Sequence, residues 1–308
     1  VSPEVSVLIP SYNYARYLDE AIGSVLGQTF QDFEIVAVDD GSKDGSYEKL
    51  LAWQARCPGK IIAFRHPSGR NEGLCETYRA AFRASSGAII AFLEADDCWA
   101  PENLERKVRV LKENPDVGVV FSRYRPFGSR GESFYWRLYE WANARSMPRN
   151  RSFDLSVEFA RRNPVASFSH FVVRRRDLEL ILSFKSPSFN FDWWVLAHLS
   201  LHRRFWWIDQ VLCFWRIHPG SAGYGPVTRK MLRKLRGFLL VLYRSLERER
   251  GEPLEGSMRS AARKTLRFLE GARGQKRGWI FSAYLFHPIT ALRFTVFLVL
   301  RRLLFESD

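Results

Sequence analysis

The sequence predicts an α/β protein built on a mostly parallel central sheet flanked by helices. Three observations carry that prediction. Short apolar runs alternate with amphipathic stretches through the first 121 residues, the spacing of βαβ crossovers. The apolar runs read as near-continuous strands, as a sheet covered on both faces requires. At 308 residues, with 46% hydrophobic and 26% charged side chains, the chain can bury a sizeable core and is not a disordered polymer.

In chain order, "VSVLI" (5–9) is a strand, and residues 16–27 form a helix with Leu18, Ile22, Val25 and Leu26 on one face. "FEIVAV" (33–38) is the second strand, followed by the turn "DDGSKDGS" and a helix ending near Arg56. "KIIAF" (60–64), a helix over 73–85 and "AIIAFL" (88–93) repeat the unit. "ENLERKVRVLKEN" (102–114) is a helix with Pro101 near its first turn, and "VGVVF" (117–121) is the next strand. The pattern weakens over 122–151, which is assigned as loop with a helix. Beyond it, "FDLSVEFARR" (153–162) is helical, "FSHFVV" (168–173) a strand and "FDWWVLAHLSL" (191–201) a buried helix. "FWWIDQVLCFWRI" (205–217) forms one or two strands, and from Pro226 onward the chain is helical.

Open α/β sheets bind ligands at the carboxyl ends of their strands. "PSYN", "DDGS" and "EADD" all fall there, so three polar clusters converge on one rim. The acids are notable because the chain carries a formal charge of +14. That charge is uneven: residues 1–225 hold 29 Lys and Arg against 26 Asp and Glu, whereas residues 226–308 hold 18 against 7. The basic tail therefore faces an anionic partner, and the acidic loop belongs to a nearly neutral region.

Four scattered cysteines (Cys57, Cys75, Cys98, Cys213) make neither a disulfide framework nor a zinc site and suit a reducing compartment. No basic stretch precedes an apolar h-region at "VSPEVSVLIPSYN". The expected location is cytoplasmic, peripheral on the cytoplasmic face of a membrane.

No GxxxxGK[ST] and no GxGxxG after the first strand occurs, which argues against P-loop and dinucleotide sites. A nucleotide site built from carboxylates needs a divalent cation between acid and diphosphate. Hard oxygen ligands suit Mg²⁺ or Mn²⁺. Each cluster also has a plainer reading: "DDGS" as a turn, "EADD" as the cap of the helix near Pro101, Asp192 as the cap of "WWVLAHL", His218 as a loop histidine and Tyr12 as packing.

The blocks "VSVLIPSYNYARYLDEAIGSVLGQTFQDFEIVAVDDGSKDGS" and "GAIIAFLEADD", then "FNFDWW" and "VLCFWRIHPGSAG", resemble the family-2 inverting glycosyltransferases of GT-A fold over roughly 1–223. The resemblance implies a GT-A catalytic domain over 1–225, with a nucleotide-sugar half to about 121 and an acceptor half over 122–225. A basic amphipathic helical extension, 226–308, follows. It implies that Pro10 and Tyr12, with Asn13 beside them, border the nucleobase. Asp40 accepts a hydrogen bond from the base, and Asp39 supports that turn. Asp96 and Asp97 match the metal and ribose/diphosphate acids, Asp192 the general base, and His218 a late residue reaching the metal or diphosphate. Arg216 and Ser221 belong to the same terminal element.

The departures are specific. Glu94 stands where the family has Asp, Tyr78-Arg79 where it often has Arg-Asn, and Phe191 where an acid precedes the base. Arg79 is kept as a phosphate contact, and Phe191 is expected to dry the site and raise the pKa of Asp192. The implied reaction is a single inverting displacement from a nucleotide-diphospho-sugar, UDP favoured and dTDP next, with Mn²⁺ or Mg²⁺. The acceptor hydroxyl lies on a cell-surface glycan or lipid-linked oligosaccharide. Within the tail, "WIFSAYLFHPITALRFTVFLVLRRLLF" (279–305) is apolar but interrupted by His287, Pro288 and Arg293, which favours an interfacial over a spanning helix. The alternatives are packing of these helices on the catalytic domain or on a second subunit as a homo-oligomer. Two other functions stay in view: a nucleic-acid-binding protein, for which no motif is present, and a sugar-nucleotidyltransferase, which lacks its Gly-rich basic loop.

Overall fold

A computed structural model describes residues 2–271, except 130–136, 222–228 and the single or paired positions 138–139, 142, 146, 150, 161, 184–185, 188 and 255. The apolar stretch 279–305 lies outside the described residues.

Strands β1 (Val5–Ser11) and β2 (Phe33–Asp39) are buried at every position, because sheet neighbours flank them and helices cover both faces. They pair in parallel, with Ser11 opposite Asp39. On one side β2 pairs with β3 (Ile61–Arg65), and on the other β1 pairs with β4 (Ile89–Phe92), both again in parallel. Helix α1 (Leu18–Leu26) buries Leu18, Ala21, Ile22 and Val25, one stripe at helical spacing. Helices α2 (Ser46–Arg56), α3 (Leu74–Ala84) and α4 (Asn103–Glu113) make the further crossovers. The carboxyl ends of β1, β2 and β4 thus share a rim, as the sequence pattern implied.

Beyond β4 the sheet is mixed. Its order is β3-β2-β1-β4-β8-β6-β9-β5, with β7 (Ser152–Phe153) also paired to β9. Here β8 (Phe171–Arg174) lies antiparallel between β4 and β6, while β6 (Val117–Gly128) and β9 (Arg204–Ile217) run parallel. Two expectations change. The strand beginning at Val117 continues through "SRYRPFG" to Gly128, in a region assigned as loop, because β9 supplies a partner along its length with register shifts near Ser122–Tyr124. The helix expected over 153–162 shrinks to α5 (Ser156–Phe159), since Ser152 and Phe153 pair with β9. Likewise residues 168–170 make a 3₁₀ turn before β8.

Two apolar clusters fill the layers on the two faces of the sheet, one holding Val5, Val7 and Ile9, the other Leu8. After α6 (Arg175–Ser183), α7 (Phe191–Leu199) is buried all round. The described part of the basic extension packs on it. Helix α8 (Arg229–Arg250) turns Phe238, Leu239, Leu242, Tyr243 and Leu246 inward. Phe238 meets Trp193 at 5.4 Å, and the Tyr243 hydroxyl donates to the Ala160 carbonyl. Glu249 accepts from both His198 and His202, tying α8 to α7. Helix α9 (Gly256–Gly271) buries Met258, Ala261 and Ala262. The inward side of α8 therefore completes the core of the acceptor half. No helix among the described residues is long and apolar enough to cross a membrane.

Candidate active site

The site begins where β4 stops. Leu93 and Ala95 stay buried, and the loop then returns as the short strand β5 (Cys98–Trp99), whose residues pair with Phe214 and Cys213 of β9. This clamp holds Glu94, Asp96 and Asp97 close enough that one carboxylate oxygen of each lies within 4.8 Å of the others. Asp97 Oδ1 accepts the Arg216 backbone N–H at 2.9 Å. Its Oδ2 is buried without a hydrogen-bond partner among the described residues. Glu94 accepts from the Ser167 hydroxyl at 3.2 Å.

Electrostatics follow from this crowding. Burial, then the charges of Asp96 and Asp192, push Glu94 up to about 8. Burial, then Asp96 and Glu94, hold Asp97 well above the carboxylate range. Asp96 is also raised by burial, although His218 and Arg216 pull it back. Three hard oxygen donors, mutually repelling and with one orphaned oxygen, fit a divalent cation of the Mg²⁺ or Mn²⁺ type.

His218 Nε2 lies 3.1 Å from Asp96 Oδ2, while its Nδ1 accepts the Gly220 N–H at 3.0 Å. That acceptor role puts the ring proton on Nε2, so His218 donates to Asp96 here. The Ser221 hydroxyl closes the turn by accepting from the His218 N–H and donating to the Arg216 carbonyl. Arg216 Nε reaches the Asp96 carbonyl at 2.8 Å, and its guanidinium pairs with Glu20.

The rim on the β1–β2 side is a braced pair of loops. Pro10 sits in β1 opposite Val38. Tyr12 is 45% exposed, a free aromatic face at the mouth. Asn13, at φ 57, donates its N–H to Ser42 Oγ and accepts from the Lys43 N–H, locking "SYN" to "DGS". Gly41 has φ +77, and a Cβ there would lie 2.6 Å from the Arg70 backbone, so glycine is required. Asp40 accepts the N–H groups of Glu72 and Gly73 at 2.6 and 3.0 Å, one on each oxygen. Asp39 accepts from Gly41, Ser42 and Arg65 on Oδ2 alone, leaving Oδ1 buried and unpartnered. Asp39 thus holds the DDGS turn itself, and Asp40 braces that turn against the loop at 72–73.

On the opposite side Asp192 lies in the first turn of α7, whose cap is Asn190, so it is not the cap itself. Asn163 Nδ2 donates to its Oδ2 at 2.7 Å. Burial beside Phe191 pushes the Asp192 carboxyl up to about 6, with the Trp193 N–H and Asn163 pulling back. Arg79 is held by Glu76, the Leu182 carbonyl and the Ser186 hydroxyl rather than left open to a phosphate.

The model of glycosyl transferase family 2 matches residues 6–182, more than half of the chain. The chain belongs to that family. Among curated family relatives, an uncharacterized glycosyltransferase of Nostoc sp. is 45% identical over 117 residues, covering 38% of this chain and 35% of that one. One from Rickettsia prowazekii is 32% identical over 136 residues, covering 44% and 40%. The matches thus span well under half the length of these relatives. Among solved structures, S. aureus TarS 1–349 in complex with UDP-GlcNAc aligns at TM-score 0.63 and 17% identity, over 90% of this chain and 75% of that one. The mannosyltransferase PcManGT from Pyrobaculum calidifontis, in complex with GDP-Man and Mn²⁺, aligns at TM-score 0.62 and 17% identity, over 99% and 82%. The fold is GT-A.

Several neighbours of this family-2 site carry no sequence signal by themselves. Tyr14 packs edge-on to His218 at 5.7 Å, and burial with the charges of the three loop acids raises its hydroxyl pKa. Ser167, Ser169 and Asn163 come from a stretch with no motif. The aromatic spacing of "YNYARY" was the one available hint for Tyr14.

Proposed function

We propose that the chain transfers a sugar from a nucleotide-diphospho-sugar, UDP-linked by preference and dTDP-linked next, to an acceptor hydroxyl with inversion. One observation carries the reading. A cation-type carboxylate trio stands near a separate single carboxylate, each raised by burial, and the Asp192 charge bears on Glu94. Asp96 and Asp97, with Glu94, would hold Mn²⁺ or Mg²⁺, which supplies charge neutralisation for a departing diphosphate. His218 could join them through Nε2 only in its other tautomer, with the ring proton on Nδ1 and the Gly220 N–H contact given up. Asp192 takes the proton from the acceptor hydroxyl as that oxygen attacks the anomeric carbon and the bond to the diphosphate oxygen breaks. Attack on the face opposite the leaving group inverts the configuration. A pKa near 6 leaves Asp192 ionised at neutral pH yet basic enough to share a proton. Tyr12 offers the nucleobase a ring face, and Asp40 would be the carboxylate that accepts its hydrogen bond.

The unit 1–225 is the catalytic domain, and α8 and α9 extend its acceptor half. Because α8 and α9 turn their apolar sides inward, their outer sides expose Arg233, Lys234, Arg244, Arg248, Arg259 and Arg263. Peripheral contact with the cytoplasmic leaflet would therefore be made by cations against anionic lipid, bringing a lipid-linked or cell-surface glycan acceptor to the enzyme. Flotation with anionic and neutral vesicles tests this: binding confined to anionic vesicles and lost at high salt supports it, and equal flotation after charge reversal of Arg244 and Arg248 would end it. A thermal-shift panel of nucleotide sugars with Mn²⁺ or Mg²⁺ tests the donor reading. Stabilisation by a nucleotide sugar only when the ion is present is expected, and no response to any member would refute it.

A further inference from the structure

Glu94 stands where the family resemblance leads to Asp, so one member of the carboxylate trio has a longer side chain. Its extra rotatable bond costs more entropy to hold in place. A neighbouring turn supplies the holder. Residues 168–170 form the 3₁₀ turn before β8, and Ser167 caps it, its hydroxyl oxygen accepting the Ser169 N–H at 3.3 Å. The same hydroxyl donates to Glu94 Oε2 at 3.2 Å, while Ser169 Oγ accepts the Glu94 N–H at 2.9 Å. Two serines of one turn thus grip both the backbone and the side chain of this acid. Among the described residues no hydrogen bond engages Glu94 Oε1, which leaves that oxygen to a cation.

The turn is itself anchored. Trp99 Nε1, on the far side of the acidic loop, donates to the Ser169 carbonyl at 2.9 Å. Lys107 Nζ, buried in α4, donates to the His170 carbonyl at 2.9 Å. The loop is therefore tied to one turn at both ends, by Glu94 and by Trp99. Ala166, just before Ser167, has φ 75, a left-handed conformation that a residue with a Cβ rarely keeps. Such backbone persists where surrounding contacts over-determine it, and here it sets the course of the chain into Ser167. We infer that Ser167 is a positioning residue: its hydroxyl fixes the longer Glu94 side chain so that it can ligate a divalent cation beside Asp96 and Asp97. The inference rests on the cation reading above and extends it to a residue outside the acidic loop.

The test is a double-mutant cycle on the full chain. Mn²⁺ affinity is read from the loss of the free-ion EPR signal, with and without UDP. Ser167→Ala should weaken Mn²⁺ binding by roughly tenfold, the lower end for losing a group that hydrogen-bonds a metal ligand, because this bond is long. Ser167→Thr keeps the hydroxyl and should restore the affinity. Glu94→Asp is one methylene too short to reach Ser167, so adding Ser167→Ala to it should change nothing further. A merely structural role of Ser167 would weaken binding equally in both backgrounds. Unchanged Mn²⁺ affinity in Ser167→Ala, or an additive loss in the double variant, would overturn the inference. A wild-type chain that binds no Mn²⁺ under either condition would overturn the cation reading itself, a distinct result.

Discussion

Raising the pH of the metal-free protein should destabilise it, and a divalent cation should reverse the effect. Glu94 is shifted from 4.5 to about 8, by burial first and then by Asp96 and Asp192. Between those values the folded chain binds more protons than the unfolded chain, so stability falls as pH rises. The contribution is fully present below the unfolded pKa and is gone once the pH passes about 8. At about 1.4 kcal/mol per unit, the Glu94 shift alone sets a ceiling of about 5 kcal/mol. Asp97, raised in the same sense, adds to the slope. A cation held by the trio substitutes for the protons and flattens the dependence. The assay is urea unfolding between about pH 5 and pH 8.5, with EDTA or with excess Mn²⁺. Asp97→Asn should lose most of the Mn²⁺ response while gaining metal-free stability at high pH. A flat metal-free profile with no Mn²⁺ response would refute the buried trio.

Turnover should rise with pH through about 6 as Asp192 ionises, and a rate constant flat across that region would remove it as the base. Asp40→Ala should cost on the order of 1 kcal/mol in unfolding free energy by urea titration, because it removes the shared acceptor of the Glu72 and Gly73 N–H groups, and an unchanged value would show that this brace is dispensable. Glu249→Gln should lower the melting temperature, since His198 and His202 lose a shared carboxylate whose ionised form they stabilise against burial. An unchanged midpoint would show that α8 is held by its apolar face alone.

Much of the nucleotide half was legible in the sequence because its signals are local. The runs at 5–9, 33–38 and 88–93 are strands in the structure, and the Glu94–Asp97 loop lies at their shared rim. The acceptor half was less so. "SRYRPFG" has no strand pattern of its own and becomes one only by pairing with β9, some ninety residues later. The brace that Asp40 makes depends on N–H groups at 72 and 73, which no spacing rule connects to "DDGS". The basic amphipathic extension read as helical without saying what its apolar side meets, and for α8 that is α7.

The central claim is that Asp192 is the base of a displacement on a metal-bound nucleotide sugar. Asp192→Asn preserves the shape of the side chain and removes its basicity. With the donor found by the thermal-shift panel, calorimetry and transfer should be measured on the same preparation. Unchanged Mn²⁺-dependent donor affinity with transfer abolished is the predicted result. Near-normal turnover in Asp192→Asn would contradict the account.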